Sequence, residues 1–136
     1  MIDMILSFLG FMSGLITPDR SYFKTSEFAC KCGCKNNGIS PDLIEKLNTA
    51  RYIAGVPFVI SSGYRCPKHN FDVGGVPDSS HTNGSAVDIV CKKDSDRFKI
   101  IIGLLVAGFQ RIGISADFIH ADIDVNKSKK VIWIYK

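Results

Sequence analysis

The residues best suited to chemistry in this chain are two histidines and an aspartate at short, regular spacings. His81 and Asp88 lie in the S-S-H-T-N-G-S-A-V-D run of residues 79–88, and His120 follows in the D-F-I-H-A-D run of residues 117–122. Two imidazoles and one carboxylate form a three-ligand set of the kind that leaves a fourth position on zinc open for water. These residue types therefore indicate a hydrolytic metal site.

The flanking elements must bring the three residues together. Residues 85–91 alternate as a strand, with Asp88 on the face opposite its apolar neighbours. Residues 118–125 alternate in the same way around His120. If the two strands are neighbours, Asp88 and His120 converge, and a carboxylate in so apolar a strand needs a partner. Taken singly, each residue is better explained as a surface or strand-end polar group, whereas the joint pattern favours a site.

Further motifs follow one another along the chain. They are F-K-T-S-E-F-A-C-K-C-G-C (23–34), S-S-G-Y-R-C-P-K-H-N (61–70), V-G-G (73–75), S-x-H-x-x-G-x-A-x-D (79–88), F-I-H-A-D (118–122) and V-I-W-I-Y (131–135). The series resembles the zinc D-Ala-D-Ala carboxypeptidases and L-alanyl-D-glutamate endopeptidases, peptidoglycan peptidases that include phage endolysins. The resemblance covers residues 22–136.

The resemblance implies that His81, Asp88 and His120 are the ligands of Zn²⁺. It also implies a general base three positions before the last histidine, where this chain has Asp117. Family members often carry Glu there, and in a regular strand that position points away from His120, so Asp117 can act only if the chain bends within Gly113-Ile114-Ser115-Ala116. The resemblance assigns Arg65 to the substrate carboxylate or carbonyl oxygen, for which a planar guanidinium is well suited.

The implied function is hydrolysis of peptide bonds in peptidoglycan stem peptides, by a D-Ala-D-Ala carboxypeptidase or an L-Ala-D-Glu endopeptidase. Zinc lowers the pKa of its bound water to about 7, and a carboxylate passes the water proton to the leaving amine. The enzyme would act at the bacterial cell envelope, in the periplasm or the wall, and a phage origin is compatible with the resemblance. The alternative function is a non-catalytic, zinc-stabilised binding domain of the same fold.

Three other polar residues near these motifs have two interpretations each. Asp122 either accepts a hydrogen bond from a ligand histidine or forms a structural salt bridge. Ser79 either donates a hydrogen bond at the site or shapes the loop. His69 is interpreted as a structural or rim residue of a short helix rather than as a fourth ligand.

Composition predicts one compact domain. The chain has 136 residues, of which 46% are hydrophobic and 22% charged, enough for a substantial core. The formal charge of +4 is mild and the basic residues form no dense patch, which argues against nucleic-acid binding. We expect a monomer with an apolar N-terminal segment at residues 1–21 and a zinc peptidase domain at residues 22–136.

The periodicities predict an α+β fold in which an antiparallel sheet packs against helices. Helices are expected near residues 41–54 and from just after residue 94 or 95 to just before Gly108, and strands at 58–61, 85–91, 119–125 and 131–135. The resemblance implies the fold of the D-Ala-D-Ala peptidases, which the hedgehog signalling domain shares.

Five cysteines leave three hypotheses open. Cys30, Cys32 and Cys34 form a tight C-x-C-x-C, while Cys66 and Cys91 lie further along the chain. The first three, with Cys66 as a fourth, can hold a structural zinc. A disulfide from the N-terminal loop to Cys66 and five free thiols are the other hypotheses.

The apolar residues 1–16 lack the basic start and the cleavage site of a signal peptide and are short for a membrane span. We expect a packed or loosely attached helix there in preference to a membrane-associating segment.

Overall fold

The computed structural model describes the backbone of residues 1–136 and all side chains except those of residues 12–15. Its helices are α1 (Ile2–Leu15), α2 (Pro41–Ala54), α3 (Pro67–Asp72) and α4 (Asp94–Val106). Its strands are β1 (Ile60–Ser62), β2 (Ala86–Val90), β3 (Arg111–Ile114), β4 (Phe118–Asp122) and β5 (Val131–Ile134). One turn of 3-10 helix covers Thr25–Phe28.

The strands form one sheet in the order β1-β2-β4-β3-β5, so the predicted α+β fold is confirmed. All neighbouring strands are antiparallel except β3 and β5, which makes the sheet mixed. Strand β4 runs antiparallel to β3 and therefore ends beside the first residues of β3. Residues 123–130 then cross to the other side of β3, where β5 begins alongside Arg111 and runs parallel to β3.

Strand β3 was not predicted from the sequence. Gly113 and Ile114, which were interpreted as part of a bend, belong to β3, and the bend itself lies at residues 116–117. This strand has only four residues and contains a glycine, so its own pattern carries little strand signal. Its pairing with two neighbours supplies the stability that its sequence does not predict.

The hydrophobic core lies between one face of the sheet and helices α2 and α4. Val87 and Ile89 of β2 and Ile119 of β4 are fully buried and share one cluster with residues of both helices. The intervening residues Asp88 and His120 occupy the opposite face because side chains alternate along a strand. The strand alternation predicted from the sequence thus separates the core from the polar face.

Helix α2 has the boundaries predicted from its terminal residues. Pro41 occupies the first turn, where its missing N–H is no loss, and Ser40 precedes it in extended conformation. Gly55 ends the helix in left-handed conformation, with φ +68°, and donates its N–H to the carbonyl of Arg51.

Helices α2 and α4 approach closely at Gly103. A Cβ atom at this position would lie 2.3 Å from the carbonyl oxygen of Ala50 and 3.0 Å from the Cβ of Ala54. The contact involves helix backbone, which cannot move aside like a flexible side chain. Gly103 therefore sets the distance between the two helices that support the sheet.

Helix α1 carries exposed apolar side chains and contacts α4, and Asp3 forms an ion pair with Lys130. The helix predicted within residues 1–16 is thus present. Within the described part of the chain, no helix combines the length and apolarity needed to cross a membrane. The division between residues 21 and 22 stays a prediction.

We predict that Gly103→Ala lowers the free energy of unfolding by about 1–3 kcal/mol, because overpacking outweighs the gain in helix propensity. Urea denaturation measures the change. Gly10→Ala is the matched control, since an added methyl group on that helical glycine meets open space. Equal stability of the Gly103→Ala variant and the native chain would contradict the close approach of the helices.

Candidate metal centre

The two predicted strands are neighbours, and their register places Asp88 directly opposite His120. His120 Nδ1 lies 3.0 Å from Asp88 Oδ1, and His81 Nε2 lies 3.4 Å from the same oxygen. His81 reaches this point from the loop before β2. One ligand atom from each residue lies within 4.8 Å of the others, and all three residues are buried. The structure thus brings together the three residues expected to bind metal.

The orientation of His81 is set by a backbone carbonyl. Its Nδ1 lies 2.8 Å from the oxygen of Gly63, so Nδ1 carries the proton and donates it. The Nε2 lone pair is then directed at Asp88. Gly63 itself has no space for a side chain, because a Cβ there would lie 2.6 Å from the carbonyl oxygen of Phe28.

The orientation of His120 is set by a second carboxylate. Its Nε2 donates to Asp122 Oδ2 at 2.8 Å, and the other oxygen of Asp122 accepts from Arg111 Nε at 2.7 Å. Asp122 therefore makes both of the contacts considered for it, as acceptor from a candidate ligand histidine and as salt-bridge partner. Nδ1 of His120 is left with its lone pair toward Asp88.

These hydrogen bonds produce a set of converging acceptors. Two imidazole lone pairs and a carboxylate oxygen face one another in a buried space, which is unfavourable unless a cation lies between them. Two nitrogens and one oxygen, each histidine anchored through its other nitrogen, are the donor arrangement of catalytic zinc sites. The residues therefore fit Zn²⁺.

The candidate ligands shift one another's pKa values. Burial alone would raise the pKa of Asp88, but histidines protonated on the facing nitrogens can donate to it, and these hydrogen bonds from His120 and His81 hold that pKa well below its usual range. Burial would lower the pKa of His120, but its bonds to Asp122 and Asp88 raise it above the ordinary 6.5. A proton thus occupies, at low pH, the place that a metal would take.

The loop that carries His81 is anchored to the end of β4 by Asp124. Ser80 Oγ donates to Asp124 Oδ2 at 2.7 Å, and Asn83 Nδ2 donates to the same oxygen at 3.3 Å. Gly84, with φ +76°, closes the loop, and a Cβ there would overlap the carbonyl of Gly38. The absence of a side chain at Gly84 thus lets the backbone of residue 38 pack directly against this loop.

Arg65 lies beside the candidate ligands. Its Nη2 is 3.3 Å from Asp88 Oδ2, on the side of the carboxylate away from the histidines. Ser62 and Asn70 accept from its Nε and Nη1 at 3.0 and 3.4 Å. The guanidinium is thereby held in one orientation, with two of its five N–H groups left over from these contacts.

The site opens into a cavity of about 340 Å³. Trp133 and Tyr135 form an aromatic wall of the cavity, and the Trp133 ring centroid is 5.4 Å from that of His120. Gly113 leaves room for both rings, since a Cβ there would lie 2.6 Å from each of them. Arg111 stacks on Trp133 at 5.2 Å. A larger cavity of about 540 Å³ near α2 contains neither candidate histidine, so the chemistry belongs to the smaller one.

The remaining predicted site residues have varied positions. Asp117 is exposed on the turn between β3 and β4, its carbonyl accepts from Cys91 N at 2.8 Å, and its side chain does not line the cavity. Ser79 accepts from the N–H of His81 at 3.3 Å and lines the cavity. His69 lies half-buried in α3, outside the group of converging ligands.

Sequence reasoning missed Arg111, Trp133 and the Gly63 carbonyl as parts of the site. Trp133 lies in a motif already noted, V-I-W-I-Y, which was the available signal. No local pattern marks Arg111 or a backbone carbonyl, because their contacts come from strand pairing and loop packing.

We predict that Asp122→Asn weakens zinc binding by about 10–100-fold, because His120 loses a charged acceptor. Competition with a chromophoric chelator measures the dissociation constant. Asp78→Asn is the control, since it makes the same charge change on an exposed position of the loop before His81. Equal affinity in both variants would show that Asp122 does not support the metal.

We also predict that zinc stabilises the protein more as the pH rises from about 6 to about 8. The raised pKa of His120 gives the metal-free form a contribution that is fully present below pH 6.5 and lost as the pH rises through the folded value. Zinc binding must displace that proton, so acid weakens it. The Tm difference between zinc-loaded and chelator-treated protein tests this, and a difference independent of pH would contradict it.

The comparison with known protein families identifies the chain. The family model described as Peptidase M15 matches residues 21–122, which is most of the chain and contains the three candidate ligands. No curated protein sequence matches it. The predicted resemblance is confirmed, and with it a zinc metallopeptidase that takes a peptidoglycan-type substrate at the cell envelope. The chain belongs to the M15 peptidase family, that of the zinc D-Ala-D-Ala carboxypeptidases.

Proposed function

We propose that the protein hydrolyses peptide bonds in peptidoglycan stem peptides, as a D-Ala-D-Ala carboxypeptidase or an L-Ala-D-Glu endopeptidase. The observation that carries the proposal is the three-ligand set of His81, Asp88 and His120 at the wall of a cavity of about 340 Å³. Two histidines and one carboxylate leave one coordination position of zinc open for catalysis, whereas a structural site fills all four positions with protein ligands.

Zinc held by these residues supplies Lewis acidity, which makes water more acidic and polarises a carbonyl. The protein must then position the peptide and move protons. Asp88 and Asp122 also line the cavity, but both are engaged by histidine and arginine partners. Neither is free to act as the base.

Arg65 is proposed to bind the carboxylate or the carbonyl oxygen of the substrate. It lines the cavity, and its bonds to Ser62, Asn70 and Asp88 fix the plane of the guanidinium. A fixed planar cation can form two parallel hydrogen bonds to a carboxylate without losing much side-chain entropy. This favours a substrate with a carboxylate near the cleaved bond.

Asp117 is proposed as the general base that takes the water proton and delivers it to the leaving amine. The role requires its exposed carboxylate to turn toward the cavity when substrate binds, which the bend at residues 116–117 permits. The position of Asp117 outside the cavity is also the observation that favours the alternative function, a zinc-stabilised binding domain without hydrolysis.

The proposed place of action is the periplasm or the cell wall, with the domain at residues 22–136 acting as a monomer on its own. The mild positive charge is compatible with an anionic wall through weak long-range attraction. Lysis, tail-associated wall opening and wall remodelling all use the same bond chemistry.

We predict that the zinc-loaded protein releases fragments from purified peptidoglycan and that His81→Ala releases none. Mass spectrometry of the products names the bond: free D-alanine indicates a carboxypeptidase, and a new N-terminal D-glutamate indicates an endopeptidase. Asp117→Asn should retain zinc and lower kcat by about 100-fold or more. Arg65→Lys, which keeps the charge but loses the fork, should mainly raise KM.

Asp78→Asn serves as the control for the charge change at Asp117, because both aspartates are exposed. If several stem-peptide types stay intact while one zinc is bound through His81, the proposal fails and the binding domain becomes the better hypothesis. If Asp117→Asn hydrolyses at the native rate, another group is the base.

A further inference from the structure

Four of the five cysteines meet in one cluster that is separate from the candidate catalytic ligands. Cys30, Cys32, Cys34 and Cys66 have sulfur atoms that all lie within 4.8 Å of one another. The Sγ atoms of Cys30 and Cys32 are 3.4 Å apart, and those of Cys32 and Cys66 are 3.7 Å apart. Four thiolates at 2.3 Å from a tetrahedral zinc have sulfur–sulfur edges of about 3.8 Å. The Cys30–Cys32 and Cys32–Cys66 separations are close to that spacing, and the other sulfur pairs lie within 4.8 Å.

The backbone of residues 30–36 is shaped to bring alternate cysteines to one side. A turn covers residues 31–34, Gly33 has φ +90°, and Lys35 has φ 62°, which a side chain disfavours. The N–H of Cys30 closes the loop on the carbonyl of Asn36 at 2.9 Å. A short loop with a non-glycine residue in this conformation needs an additional constraint, which a shared ligand supplies.

Backbone N–H groups point at three of the four sulfur atoms. Cys66 donates to Cys30 Sγ, His69 to Cys66 Sγ and Asn36 to Cys34 Sγ, each at 3.4 Å. Such donors stabilise negative charge on sulfur, and metal-bound sulfur is a thiolate. The donors favour negative charge at three of the sulfur atoms, and a cation among the four would offset the repulsion between neighbouring thiolates.

The other two hypotheses for the cysteines explain less. The five cysteines form no disulfide in the structure, and a single disulfide would leave two neighbouring thiols of the cluster without a role. Five unrelated free thiols would leave the convergence of four sulfur atoms unexplained. The fifth cysteine, Cys91, is buried elsewhere, with its sulfur 3.7 Å from the carbonyl of Lys93. Because Cys91 lies apart from the others, the remaining four cysteines match the four ligands of one tetrahedral site, which accounts for the odd total of five.

We propose that Cys30, Cys32, Cys34 and Cys66 bind a second zinc ion in a closed, structural site. Each thiol releases its proton to solvent on binding, and all four coordination positions are filled, so this ion has no position for substrate. Four thiolates and Zn²⁺ carry a net charge of −2, which the flanking lysines at positions 31, 35 and 68 offset.

The site would connect the N-terminal loop to the segment that serves the catalytic centre. Cys66 directly follows Arg65, and the same segment contains Gly63, whose carbonyl orients His81. Tyr64 N donates to the Phe28 carbonyl at 2.8 Å, just before the cysteine loop. Zinc bound to Cys66 and to the N-terminal cysteines would thus fix the position of residues 63–66 relative to the cysteine loop.

Metal content of the full chain tests the proposal. Plasma mass spectrometry of reduced, zinc-loaded protein should give two equivalents of zinc for the native chain and for Cys91→Ala. It should give one equivalent for Cys32→Ser, Cys34→Ser and His81→Ala. Cys32 and Cys34 are exposed, so these substitutions should leave the core intact. Cobalt-loaded His81→Ala should retain the near-ultraviolet charge-transfer band of thiolate ligands.

A measurement on the unaltered chain guards against variants that fail to fold. Stepwise titration of the native protein with an organomercurial should release one zinc equivalent per four thiols modified, detected with a metal indicator. A single equivalent that disappears in His81→Ala, or a native mass lower by two hydrogens that shows a disulfide, would overturn the proposal. The result is independent of hydrolysis, because cysteine-bound zinc persists in the His81→Ala variant whether or not peptidoglycan is cut.

Discussion

The buried carboxylate of Asp88 is the constraint on which the site depends. One of its oxygens faces both candidate histidines, and the other faces the guanidinium of Arg65. An unpaired carboxylate in this position would cost several kcal/mol, so every partner has to be in place at once. The partners come from β4, from the loop before β2 and from the segment after β1. The register of three strands and the path of two loops are thereby tied to a single side chain.

Around this centre, each candidate histidine ligand is oriented through its second ring nitrogen. Asp122, held by Arg111, orients His120, and the Gly63 carbonyl orients His81. Asp124 joins the His81 loop to the end of β4. The histidine rings are thus held in position by hydrogen bonds from the protein, which support the coordination by an ion. The proposed cysteine site extends the same principle, since it holds the segment that contains Gly63.

Much of the fold could be predicted from local pattern. Ser40-Pro41 and Gly55 mark the ends of α2 because capping and left-handed conformation are properties of single residues. Strand β3 could not be predicted, since it depends on hydrogen bonds to β4 and β5 rather than on its own alternation. The parallel β3–β5 pair likewise follows from chain path, which no short window of sequence contains.

By itself, the sequence determined the chemical type of the site and the face on which its residues lie. Two histidines and an aspartate, with strand alternation around Asp88 and His120, are local features, and family motifs reinforce them. Only the tertiary structure decided which groups support them and that Asp117 lies outside the cavity. The reason is physical: alternation is set within one strand, whereas cross-strand neighbours and loop contacts are set by the packing of segments distant in sequence.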